Sequence, residues 1–302
     1  MRSLSSLITA ILIIFSGSVF AGNTQERLKL ASVSALAMDA ESGELLFQKH
    51  ANLRMPIASL TKVMTAMVIL DSAQPLNEKI RFSDVDRRAI NYYFSRIRVG
   101  SELPRGELLR LALMSSENLA AAALANNYPG GERQFVAAMN AKAAELGMKN
   151  TRFVDSSGLS PKNTSTALDL AKMVAAAAEY PEIKEYSTTP VHTANFSRPQ
   201  YRLAYVNTNP LLRYERWQAE VSKTGYLDLA GRCLVMKTEV DDRPVVMVML
   251  DSFGKSSPVG DAGRIKRWIE SGESGRVASS ALSYQRNKLA GYMAKQATAS
   301  LR

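Results

Sequence analysis

Short β-type runs bracket this chain, and apolar residues at helical spacing fill its middle. Ser34-Ala-Leu-Ala-Met-Asp39 and Leu45-Leu-Phe-Gln-Lys49, joined through Glu41-Ser-Gly-Glu44, read as an opening hairpin. Ala58 to Asp71 is apolar and free of breakers behind Pro56, which predicts a buried helix. Gly106 to Ala125, Glu132 to Leu146 and Thr166 to Ala178 are rich in Ala, Leu and Met and predict a helical subdomain. After Pro210 the texture turns to β: Gly231-Arg-Cys-Leu-Val-Met-Lys-Thr238 and Pro244-Val-Val-Met-Val-Met-Leu250 flank the acidic turn Asp241-Asp242-Arg243. Asp261 to Ser271 predicts a closing helix.

Strands at both ends with helices between them predict an α+β fold, an antiparallel sheet flanked by helices that unites the termini. The expected organisation is one domain over residues 22–275, with a helical subdomain inserted at about 70–205. The basic tail at 276–302, which carries five basic residues and no acid, is expected to be a frayed helix or disordered. At the start, Arg2, the apolar run Leu7 to Phe15 and the small residue Ala21 read as a secretory signal peptide cut after Ala21. That run falls short of the roughly 20 residues a membrane span needs. An exported protein with a single thiol must be held by its core rather than by disulfides, and a bacterial periplasm fits this best.

Composition narrows the chemistry. One cysteine, Cys233, and two histidines, His50 and His192, cannot form a Cys/His zinc cluster, an intrachain disulfide or an HExxH helix, so neither metal nor cofactor is expected. The net charge of +10 points to an anionic partner, and export removes nucleic acid from that class. Cys233 alternates with apolar residues and reads as an inert core thiol. His192 is expected in the polar loop Thr188 to Pro199, with no GxSxG elbow to serve it. Gly254-Lys-Ser256 imitates the end of a phosphate-binding loop, but position 249 is Met where that loop requires Gly.

Three short segments carry the chemistry that remains. Ser59-Leu-Thr-Lys62 places a nucleophile and a base on one face of a helix start, and the base works if burial and a second cation lower the lysine pKa. Ser115-Ser116-Glu117-Asn118 lies within the helical region. Lys223-Thr224-Gly225 lies in a β context, where Gly lets a backbone pair closely while Lys and Thr hold a carboxylate. Each segment is common alone; their order, at separations of 57 and 107 residues, is restrictive.

In that order the segments resemble the Ser-x-x-Lys, Ser-x-Asn and Lys-Thr-Gly triplets of the penicillin-recognising serine acyltransferases. Pro56 to Thr65, Leu113 to Asn118, Gly147 to Leu159, Asn207 to Leu212 and Val221 to Gly225 carry the resemblance to the low-molecular-mass D-alanyl-D-alanine peptidases, over about residues 31–270. Glu117 within the second triplet, and only 77 residues after Gly225, favour the endopeptidase branch. The resemblance implies the β-lactamase-like fold, with Ser59 as acylated nucleophile, Lys62 as base, Ser116 as proton relay and Asn118 as orienting group. Lys223 and Thr224 would bind a substrate carboxylate, with Gly225 letting the strand lie close. The implied oxyanion hole uses the Ser59 amide and a second donor just after Gly225.

The implied partners are cross-linked peptidoglycan peptides, β-lactams as covalent inhibitors, and weak wall or membrane contact through the basic tail. A carboxypeptidase on the same scaffold is the alternative reading. A serine β-lactamase and a silent penicillin-binding sensor are further ones. Against the β-lactamase, Arg152-Phe-Val-Asp-Ser-Ser-Gly158 lacks a Glu closely followed by Asn, which implies stable penicilloyl adducts. Gly158 is expected to shape this as a substrate-side loop.

Overall fold

A computed structural model describes residues 28–213, 217–273 and 275–300; the signal peptide expected at residues 1–21 lies outside these. β1 (Ser32–Asp39) and β2 (Leu45–Lys49) form the opening hairpin. β3 (Met55–Pro56) leads into a 3-10 turn, Ala58–Leu60, and α1 (Thr61–Asp71). The helical body follows with β4 (Lys79–Arg81), α2 (Asp84–Ala89), β5 (Glu102–Pro104), α3 (Arg105–Met114), α4 (Asn118–Asn126) and α5 (Gly131–Glu145). It ends with β6 (Thr164–Ser165), α6 (Ala167–Ala177), α7 (Pro181–Thr188) and the ribbon of β7 (Val191–Phe196) and β8 (Tyr201–Val206). The chain then returns to the sheet with β9 (Ala219–Leu227), β10 (Gly231–Val240) and β11 (Arg243–Ser252), and closes with α8 (Ser257–Ser271) and α9 (Ser279–Ser300).

The five-stranded sheet has the order β2-β1-β11-β10-β9, antiparallel throughout, so the N-terminal hairpin joins the C-terminal meander as the α+β pattern requires. Side-chain alternation sorts the sheet into two cores. Val246, Val248 and Leu250 of β11 join the core shared with the helical body, while Val245, Met247 and Met249 join the one under Ala262 and Ile265 of α8. The β11 strand is therefore apolar on both faces, which explains its unbroken apolar run. In the middle, α1 is buried at every position from Thr61 to Ile69. A helix surrounded by protein draws any charged residue on it out of water, and Lys62 is on its first turn.

Three local expectations are corrected. The helical run from Gly106 to Ala125 is interrupted at Ser115–Glu117, where Ser116 adopts φ +62 and separates α3 from α4. His192 does not lie in a loop: it sits on β7, with Nε2 2.6 Å from Glu107 Oε2. The basic tail forms a docked helix. The Tyr284 and Tyr292 hydroxyls donate to the buried Asp251 carboxylate at 2.6 and 2.8 Å, and Gln285 bonds the Leu30 carbonyl. Its inward face carries Ala281 and Leu289 beside the rings of Tyr284 and Tyr292, whose polar tips make the apolar stripe sparse in the sequence.

Asp261 ties the chain's entry into the sheet to α8. Fully buried, it accepts from the Ala31 amide (2.8 Å), the Ser32 amide (2.7 Å) and Ser32 Oγ (2.6 Å), and Arg264 bonds it at 2.9 Å. Asp261→Ala strands these buried donors, so stability falls by about 3 kcal/mol. The loss is read as a lower urea midpoint with unchanged slope.

Candidate active site

The 3-10 turn that precedes α1 presents Ser59 half-buried at the floor of a cleft of about 970 Å³. One turn on, Lys62 is fully buried, and its Nζ reaches three oxygens: Ser59 Oγ at 3.0 Å, Asn118 Oδ1 at 2.7 Å and the Ser157 carbonyl at 2.5 Å. Three separate segments thus meet on one ammonium. Burial brings the Lys62 pKa down from 10.5 to about 7, while Asp155 and Glu117 pull weakly upward. Loss of hydration outweighs both carboxylates here because the ammonium form has no access to water.

The break between α3 and α4 is what aims the second segment. Ser115 closes α3 with its hydroxyl on the Leu111 carbonyl (2.7 Å), and Glu117 caps α4 by accepting from the Leu119 amide (3.2 Å). Between them, the left-handed Ser116 lines the cleft, and Asn118, first residue of α4, turns toward Lys62. Burial raises the Glu117 pKa.

The third segment is the edge strand β9. Lys223 is buried, with Nζ on the Thr224 carbonyl at 2.9 Å. Its pKa falls well below the usual lysine value, first through burial and then through the charge of Lys62. Repulsion between two ammonium groups is mutual, so deprotonation of either relieves the other. Thr224 Oγ1 donates to Thr208 Oγ1 at 2.6 Å. Gly225 lies against the nucleophile turn: a Cβ there would meet the Ser59 amide nitrogen at 3.1 Å and Ala58 Cβ at 3.2 Å. The strand after Gly225 therefore passes beside the Ser59 amide.

Two supporting elements lie in segments that carried the resemblance, but the residues through which they act were not assigned a role from the sequence. The loop at Asp155–Gly158 supplies the carbonyl that receives Lys62. Asp155 Oδ1 accepts from the Ser157 and Gly158 amides at 2.8 and 2.6 Å, and Oδ2 from the Ser160 amide at 2.8 Å. Thr65 Oγ1 donates to the Ser156 carbonyl at 2.6 Å and pins the loop to α1. The Asp155 carboxylate is thereby consumed in building the loop. The other element is Asn207-Thr208-Asn209. Asn207 bonds the Ser187 and Thr189 carbonyls, the Thr208 amide bonds the Met114 carbonyl, and Asn209 bonds Ser222 Oγ. This segment ties α3, α7 and β9 together and sets Thr208 against Thr224.

All seven residues expected from the sequence therefore lie in or directly beneath one cleft. Ser59, Ser116, Asn118, Thr224 and Gly225 line it, and Lys62 and Lys223 are buried below. Cys233 also reaches the cleft lining, but burial raises its thiol to about 12, leaving it protonated and unreactive. Among the described residues no group of three or more His, Cys, Asp and Glu side chains is placed to hold a metal. Nor is any described helix long and apolar enough to cross a membrane.

Sheet, helical body and cleft together define the fold of the penicillin-recognising DD-peptidases. The solved DD-transpeptidase of Streptomyces K15 superposes with a TM-score of 0.75 at 29% identity, covering 80% of this chain and 98% of that one. Penicillin-binding protein D2 of Listeria monocytogenes, solved in its ampicillin-bound form, superposes with 0.68 at 29% identity over 81% and 98%. The D-alanyl-D-alanine carboxypeptidase family model, Peptidase_S11, matches residues 21–254, and the chain belongs to this family of serine DD-peptidases, enzymes that act on peptidoglycan and bind β-lactams. The chain is 48% identical to a D-alanyl-D-alanine endopeptidase of Pseudomonas aeruginosa over 85% of its length and 83% of that protein's. It is 45% identical to one of Escherichia coli over 92% and 90%.

Gly158 has φ +82, and a Cβ on it would lie 2.0 Å from the Ala58 carbonyl oxygen. Gly158→Ala must push the loop off the turn that carries Ser59. A displacement of about 1 Å slows penicillin acylation roughly a hundredfold. Stopped-flow labelling checks this, with circular dichroism confirming that the variant is folded.

Proposed function

We propose that this protein is a periplasmic D-alanyl-D-alanine endopeptidase that cleaves D-Ala to diaminopimelate cross-links of peptidoglycan through an acyl-enzyme on Ser59. The observation that carries the reading is the contact between the Ser59 hydroxyl and a fully buried, weakly basic Lys62. Neutral Lys62 takes the Ser59 proton as Oγ attacks the D-Ala carbonyl. The tetrahedral oxyanion lies between the Ser59 amide and the amide that follows Gly225 on β9. As the C–N bond breaks, the proton passes from Lys62 through Ser116 to the departing amine, while Asn118 holds Lys62 in place. Water then attacks the ester, regenerating Ser59 and releasing the D-Ala carboxylate.

Lys223 and Thr224 hold the carboxylate next to the scissile bond. A bound carboxylate favours the charged form of Lys223 and so returns the proton that burial disfavours. A β-lactam carboxylate takes the same place while its ring carbonyl acylates Ser59. With Asp155 engaged by three loop amides, deacylation lacks a free carboxylate base, which supports long-lived penicilloyl adducts. Arg286 on the outer side of α9 adds a weak attraction to an anionic wall.

Purified protein incubated with cross-linked muropeptide dimers gives monomers, and Ser59→Ala abolishes both this cleavage and labelling by fluorescent penicillin. Free D-Ala from a pentapeptide as the main product would establish the carboxypeptidase instead, and persistent labelling of Ser59→Ala would remove the nucleophile assignment.

A further inference from the structure

Large apolar side chains normally turn inward, and the segment between α2 and β5 does the reverse at three consecutive positions. Tyr92, Tyr93 and Phe94 are 63%, 57% and 82% exposed. The segment is nevertheless fixed. Ile90 and Ile97 on either side of the aromatic run are buried. The Tyr92 amide donates to the Arg87 carbonyl at 2.9 Å, the Tyr93 amide to the Ile90 carbonyl at 3.0 Å, and Arg96 to the Ala204 carbonyl at 2.6 Å. Asn91 and Tyr92 are both left-handed, with φ +50 and +56, a conformation that such residues keep only where surrounding structure enforces it. An ordered, strained turn therefore holds three aromatic rings out of the core, and a contiguous apolar surface of this kind marks a place of binding.

Its position indicates the ligand. Tyr93 lines the cleft together with Ser59, and its hydroxyl interacts electrostatically with that of Tyr226. Lys223 and Thr224 mark the leaving side of the scissile bond and the amide after Gly225 marks the oxyanion, so the acyl half runs on past Tyr226, toward the rim that Tyr93 borders. In peptidoglycan that half is a peptide stem borne by a strand of N-acetylated sugars. A pyranose ring has an apolar C–H face and a rim of hydroxyls; the negative face of an aromatic ring attracts the first, and a tyrosine hydroxyl bonds the second. A lipid surface fits less well. The two arginines that follow, Arg96 and Arg98, lie over the rings of Tyr205 and Tyr201, 4.6 and 4.8 Å from their centroids, and so turn back onto the protein instead of toward a layer of phosphates.

We infer that Tyr92 and Phe94, with Tyr93 at the cleft mouth, form a platform for the sugar rings that bear the acyl-half stem. The platform needs only the acyl half, which the endopeptidase and carboxypeptidase readings share. It makes the protein select stems still attached to their glycan over free peptides of the same sequence.

The test compares two cross-linked dimers whose stems keep the lactyl group, one with its disaccharides and one without. Native protein should prefer the disaccharide dimer by about tenfold in kcat/KM, as two ring contacts would give. The preference should vanish in Tyr92→Ala/Phe94→Ala. Because each protein is compared on two substrates, a partial loss of folded enzyme cancels from the ratio. Equal cleavage of the two dimers by native protein, or a preference that survives in the double variant, overturns the platform and leaves the endopeptidase reading intact. A variant that keeps the preference and loses co-sedimentation with phosphatidylglycerol vesicles would make the segment a lipid contact instead. Intact dimers alongside D-Ala release from a pentapeptide overturn the endopeptidase reading alone, and the platform is then judged by the same ratio on lactyl-pentapeptide with and without its disaccharide.

Discussion

The exclusion of water from Lys62 is the constraint on which the site depends. A lysine in water is charged at neutral pH and cannot take a proton from serine; one enclosed on all sides loses that charge readily. The enclosure comes from parts remote in sequence. α1 runs through the centre of the molecule, α4 brings Asn118, the loop at Asp155–Gly158 brings a carbonyl, and β9 brings Lys223. Each also gives Lys62 a partner or a neighbour. The same contacts that remove the ammonium from water therefore fix the direction of its remaining lone pair or proton.

Holding these parts so close strains the backbone at two places. Ala58, immediately before the nucleophile, has φ +48, and Ser116 has φ +62. Left-handed conformations cost non-glycine residues about 1–3 kcal/mol each, and they persist only where surrounding structure enforces them. At Ala58 the enforcement is visible: Gly158 and Gly225 press on the turn from two sides, with no room for a side chain at Gly158 and only a tight fit at Gly225. At Ser116 it is the capped ends of α3 and α4. Both strained residues set the direction of a serine, so strain and site geometry have one origin.

The triplets were legible because each needs particular side chains at a spacing set by local structure: i and i+3 on a helix, or successive residues of a strand. The antiparallel sheet was legible from β11 and β10, whose apolar runs are buried on two faces. What escaped the sequence was carried by backbone atoms or by polar tips. The Ser157 carbonyl has no side-chain signature, and Asp155 reads as an ordinary turn acid until its hydrogen bonds are seen. Thr208 shares its function with Asn207 and Asn209, which point away from the chemistry into α7 and Ser222. The docking of α9 rests on Tyr284, Gln285 and Tyr292, whose partners lie more than 30 residues away. The β7–β8 ribbon escaped because only Ala194 and Phe196 of β7 are buried, too short an alternation to stand out.

The burial of Lys62 has one direct kinetic consequence. Only its neutral form accepts the Ser59 proton, so the second-order rate of acylation by penicillin, which reports the free enzyme, follows the titration of that group. With the Lys62 pKa lowered from 10.5 to about 7, the rate should rise tenfold per pH unit on the acid side and stop rising near pH 7. A rate that keeps climbing toward pH 10 would mean that Lys62 remains an ordinary hydrated lysine, and would contradict the enclosure as the source of its basic form.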